Sequence, residues 1–160
     1  MNIAPINHGQ NMTFGNVNQL LPKDPNAKEL RHIARTIKDV CKIDVDTKFM
    51  QGDYFMKLER PYHKDMLDDT AHFHHVDNGI CTKRVGYYHN ISMPYVSLNS
   101  VDEYLPNGWT IQKYYDIDTG DMSCIKCICP ANIGKPYNPE DVHMLVFDIE
   151  NGKVIETKRY

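Results

Sequence analysis

The chain of 160 residues has one tryptophan, no run of basic residues and no apolar stretch of membrane length. The last absence excludes a helical membrane span. The lack of a basic run, with a net charge of −3, argues against nucleic acid as the main partner. No phosphate-cradling glycine loop, dinucleotide fingerprint or Gly-x-Ser-x-Gly elbow occurs, so the common nucleotide-binding and serine-hydrolase motifs are missing. Met1–Pro5 holds no basic region leading into an apolar segment. No leader is therefore expected, and the protein is expected to be soluble and cytoplasmic. The five cysteines, Cys41, Cys81, Cys124, Cys127 and Cys129, are odd in number. They fit a reducing compartment better than a disulfide framework.

Hydrophobic residues make up 41% of the chain, enough for one domain of this length to bury a core. Residues 1–25 are rich in Asn and Gln and carry Pro5, Pro22 and Pro25 without a sustained apolar period. They read as a mobile or extended arm, with residues 26–160 as a single α+β domain.

Leu30, Ile33, Ala34, Ile37, Val40 and Cys41 recur at helical spacing, which predicts an amphipathic helix over 27–42. Asn26 with Glu29 has the form of a capping box. Arg31, Arg35 and Lys38 fall near one another on the outer side. They either attract an anionic partner or form an ordinary solvated face.

Three turns share one pattern: Asp77-Asn78-Gly79, Asp118-Thr119-Gly120 and Glu150-Asn151-Gly152. Each lies between candidate strands, so each reads as a hairpin whose three-residue loop ends on a glycine with positive φ. That register sets Trp109 opposite Cys129 and Ile111 opposite Cys127. In the last hairpin it sets Phe147 opposite Ile155 and Leu145 opposite Thr157. A two-residue loop at Asn151-Gly152 would pair Phe147 with Glu156, which places a carboxylate on the apolar face. Tyr54–Leu58 alternates like a half-buried strand, residues 62–69 read as a helical turn, and Ser100 with Glu103 reads as a short capped helix. Asn138-Pro139-Glu140-Asp141 has the form of a first helical turn.

The expected fold is one long N-terminal amphipathic helix packed on an antiparallel, hairpin-built sheet of six to eight strands. An all-β barrel with a capping helix is the alternative. The stretch Phe147–Glu156 resembles the closing hairpin of the cystatin-like and nuclear-transport-factor-2-like superfolds. That resemblance implies a curved sheet, or cone, around a helix. Enzymes, carriers and binding proteins all use it, so it implies no single function.

His72 and His74 are the candidate metal ligands. Alternate strand residues share a face, and two imidazoles so placed can hold a transition metal such as zinc. His89, His143 or Asp77 would supply the third ligand. The His-x-His spacing resembles the first cupin motif, and Pro106-Asn107-Gly108 resembles the start of the second. No glutamate follows in Val76–Gly79, and Ile111 stands where the second motif has histidine. Exposed or packed strand histidines are the other reading. Cys124-Ile125-Lys126-Cys127 falls mid-strand and has no second Cys-x-x-Cys, so its thiols read as structural. Tyr87-Tyr88 and Tyr114-Tyr115 should each split across the two sheet faces.

No catalytic constellation emerges, so a non-catalytic binding or protein-interaction module is expected, with no cofactor and a protein or small-molecule partner. A small metal-dependent enzyme using His72 and His74 is the alternative. A pocket-bearing acid-base enzyme on a curved sheet comes third.

Overall fold

The computed structural model describes residues 12–14, 17–20, 25–52, 69–89, 95–130, 138 and 140–160. The helix α1, Ala27–Cys41, starts where its cap chemistry puts it. Asn26 Oδ1 accepts the N–H groups of Lys28 at 3.0 Å and Glu29 at 3.1 Å, two of the donors a helix start leaves unpaired. The helix stops at Lys42, whose φ of 59° is left-handed and whose N–H donates to Lys38 O. Leu30, Ile33 and Ile37 form its buried stripe. Glu29 does not complete the capping box. Its carboxylate instead accepts the N–H of Val154, at 3.0 Å.

The strands are β1 (Met12–Phe14), β2 (Val17–Leu20), β3 (Asp69–Asp77), β4 (Ile80–His89), β5 (Tyr95–Tyr104), β6 (Thr110–Tyr115), β7 (Met122–Ile128), β8 (Met144–Glu150) and β9 (Lys153–Arg159). From β3 to β9 each strand pairs antiparallel with the next, giving a seven-strand antiparallel sheet. β1 pairs antiparallel with β2, and β2 runs parallel to the start of β5. Among the described residues β3 pairs only with β4, and β9 only with β8. The sheet is open, which corrects the barrel alternative. The described residues are mostly sheet with one short α-helix of 15 residues. The expectation of a long N-terminal helix is corrected too: the Lys42 cap ends α1, and strands supply most of the core.

One face of the sheet lies in that core with α1. Val85, Val101, Lys113, Ile125 and Phe147 are directly opposite one another across five strands. All five are buried, so a lysine sits in the middle of an apolar line.

The turns differ in detail from their expected form. Asn78 and Gly79 both have positive φ, as do Asn151 and Gly152. Asp77 opposes Ile80 and Glu150 opposes Lys153, so both outer hairpins close through two residues. A bulge between Asp148 and Ile149 then sets Phe147 opposite Thr157 and Leu145 opposite Arg159. Neither expected pairing of Phe147 holds. The apolar-face argument fails because β9 is an edge strand whose Ile155 is 63% exposed. In the middle hairpin, Asp116 N–H donates to Asp121 O and Gly120 N–H to Asp116 O, which leaves Ile117–Gly120 as the loop. A bulge between Tyr114 and Tyr115 compensates, so Ile111 does face Cys127.

Ser100 and Glu103 lie inside β5, where pairing on both sides overrides the local cap signal. Asn138 makes a turn without a helix: its Oδ1 accepts Glu140 N–H and its carbonyl accepts Asp141 N–H. The strand expected at Tyr54–Leu58 and the turn expected over 62–69 fall outside the described residues, apart from Asp69 in β3. No helix of the described residues is long and apolar enough to cross a membrane.

Candidate functional site

The sheet face turned from α1 carries a cross-strand row that starts at His74 and continues through Arg84, Asp102, Gln112 and Lys126. Asp102 anchors it. Its side chain is 2% exposed. Oδ2 accepts Arg84 Nε at 2.8 Å and lies 2.5 Å from Nη2. Oδ1 has no hydrogen-bond partner among the described residues. Burial, and then the Asp102 charge, push the Tyr104 hydroxyl above its ordinary pKa.

His72 and His74 sit on this face together, as alternation requires. His72 lies opposite Gly86, where a Cβ would come within 3.3 Å of its Cδ2 and 2.8 Å of Ser100 Oγ. His74 Nδ1 is 3.7 Å from Cys81 Sγ. Among the described residues no three His, Cys, Asp or Glu side chains gather to hold a metal. Asp77 and His143 therefore do not join the pair, and the side chain of His89 lies outside the described set.

At the other end of the row is a groove of about 360 Å³, lined by Tyr114, Cys124, Lys126, Met144, Val146, Asp148, Lys158 and Tyr160. Hairpin register brings it together, setting Tyr114 opposite Cys124 and Cys124 opposite Asp148. Lys126 Nζ stands 4.7 Å from the Tyr114 ring centroid. The Tyr114 hydroxyl donates to Gln112 Oε1 at 3.2 Å. Lys158 donates to Asp148 at 2.6 Å and is 3.2 Å from Glu156, and these partners raise its pKa. Lys126 forms no ion pair within the described residues.

Of the cysteines, Cys41 has its pKa lowered, by the hydrogen bond with Cys127 and the charge of Arg159, against burial. Cys127 is buried, and a hydrogen bond with Cys41 followed by burial pushes its pKa up. Burial also raises Cys124, against the pull of Lys126. A reactive thiol needs the opposite shift. Cys127 packs in the core beside Ile125, as expected of a structural thiol.

No family model, curated protein or solved structure matches this chain.

The tyrosine pairs divide as alternation predicts. Tyr87 and Tyr115 are buried, while Tyr88 and Tyr114 are half-buried on the groove face. Sequence reasoning missed both charge clusters. Arg84 and Asp102 meet across β4 and β5. On the opposite face Glu103 Oε1 lies 2.9 Å from Lys83 Nζ and 3.4 Å from Lys113 Nζ, and Lys113 also donates to Gln51 O. Only the pairing of β4, β5 and β6 brings these residues together, and no local pattern marks it.

Proposed function

We propose that the protein is a non-catalytic binding module that takes a small acidic ligand in the groove around Tyr114 and Lys126. The observation that carries this reading is Lys126: a cation held over an aromatic ring, without a carboxylate partner among the described residues, in a concavity of about 360 Å³. Small-ligand sites combine such a volume, roughly 300–1,000 Å³, with a few directing polar groups. Met144 and Val146 supply apolar wall, and the Asp148–Lys158 pair closes one side. The test is a panel of aromatic and aliphatic carboxylates followed by backbone amide NMR shifts. Saturable changes should centre on Gln112–Lys126 and Met144–Asp148 and should vanish in Lys126→Glu. Changes elsewhere, or none across the panel, would refute this reading.

The cystatin-like or nuclear-transport-factor-2-like cone belongs to the same proposal. Bulges at His75/Val76, Gly86/Tyr87, Tyr114/Tyr115 and Asp148/Ile149 support it, because each bends its strand. We place the protein in the cytoplasm on its free thiols.

A second reading, an acid-base enzyme, rests on buried Asp102, whose Oδ1 has no partner among the described residues. Turnover abolished by Asp102→Asn in an unchanged fold would favour it.

A further inference from the structure

The outer side of α1 carries a second concavity, of about 430 Å³, lined by Lys28, Glu29, Arg31, His32 and Arg35. Lys28, Arg31, His32 and Arg35 are exposed. Their spacing makes neighbours of like charge, Lys28 with Arg31 and Arg31 with Arg35, and sets His32 beside Lys28 and Arg35. On an ordinary solvated helix face, acids at one-turn spacing relieve such repulsion. Here they do not.

Glu29, the one acid among the described residues of the concavity, turns its Oε2 to the Val154 N–H. Asp39, one turn beyond Arg35, forms no ion pair with it. Lys38 shows the contrast on the same helix, since Asp44 pairs with it at 2.8 Å. Lys28, Arg31 and Arg35 have no such partner among the described residues. Two of the first amide donors of α1 are not available either, because Asn26 takes those of Lys28 and Glu29. The recognition chemistry is therefore that of the side chains.

Guanidinium forks match phosphoryl oxygens in pairs, which ammonium groups do not. Two forks one turn apart suit two adjacent phosphoryl groups. The basic stretch is short: from Lys28 to Arg35 an α-helix rises about 10 Å. That length spans a pyrophosphate-sized group and offers no track for a duplex. We propose that this concavity binds a small molecule bearing a di- or polyphosphate group, with Arg31 and Arg35 on the phosphoryl oxygens and Lys28 and His32 at the flanks. The site is separate from the groove beyond the sheet, so either can fail without the other.

The probe is inorganic pyrophosphate, titrated at constant ionic strength and followed by amide NMR shifts, with inorganic phosphate and a short single-stranded RNA in parallel. Saturable changes should map to residues 28–35, and pyrophosphate should bind more tightly than phosphate. The double variant Arg31→Gln/Arg35→Gln should bind about tenfold more weakly or worse, whereas Lys38→Gln should bind like the parent. Helical circular dichroism confirms that the variants fold. Pyrophosphate should also raise the melting temperature of the parent and leave that of the double variant unmoved. Binding unchanged in the double variant, or shifts that follow ionic strength alone, would overturn the proposal. So would RNA displacing pyrophosphate with higher affinity, which would make the face a nucleic-acid surface.

Discussion

The Glu29 carboxylate accepts the backbone N–H of Val154 at 3.0 Å, joining the first turn of α1 to the start of β9 across 125 positions of sequence. One side chain thus fixes where the helix lies against the last hairpin and leaves the basic concavity without its acid. Glu29→Ala should cost about 1.5–3 kcal/mol, the range for a hydrogen bond to a charged group. Glu29→Gln keeps an acceptor and should cost less. Equal losses in urea unfolding would show that the acceptor plays no part.

Ile37 is fully buried under the sheet, while Ile155 on edge strand β9 is 63% exposed. Ile37→Ala should lower stability by about 2–5 kcal/mol. Ile155→Ala should change it by no more than about 0.5 kcal/mol. A large loss at Ile155, dependent on protein concentration, would mean that a second copy covers β9.

Glu103 holds two lysines, and one of them, Lys113, has a side chain only 1% exposed. Glu103→Gln removes the carboxylate that both ammonium groups share and should cost about 1.5–3 kcal/mol, the range for a hydrogen bond to a charged group. Chemical denaturation measures the loss. If the variant matches the parent, water or a rearranged partner serves Lys113 instead.

Asp116 gives a pH signature. Backbone N–H donation from Thr119 and Asp118 holds its carboxyl below the ordinary value, with burial opposing. A depressed folded pKa contributes stability above the unfolded value, about 3.9, and loses it as pH falls through the folded value. Asp116→Asn keeps an acceptor but cannot titrate. Its deficit relative to the parent should therefore shrink between about pH 5 and about pH 2. A constant difference over that range would remove Asp116 from the acid sensitivity of the fold.

Tag-free protein should carry less than one equivalent of zinc, iron or manganese, since no group of three metal-ligating side chains forms around His72 and His74 among the described residues. Elemental analysis decides this. Stoichiometric metal lost in His72→Ala/His74→Ala would favour the metal-enzyme reading instead.

Sequence alone determined what neighbours along the chain determine. Asn26 and the apolar period of Leu30, Ile33 and Ile37 specify α1, because a cap and a stripe span only a few turns. Asn-Gly pairs mark the outer hairpins, because both residues accept positive φ. Alternation alone put His72 with His74 and Tyr114 opposite in face to Tyr115. Tertiary structure decided the rest. Phe147 faces Thr157 because one bulge shifts β9, and no turn pattern announces that bulge. Ser100 and Glu103 became strand because β4 and β6 pair with β5 on either side. The Arg84–Asp102 pair, the buried Lys113 and the groove at Lys126 exist only through cross-strand register, and register sums every turn and bulge between the strands.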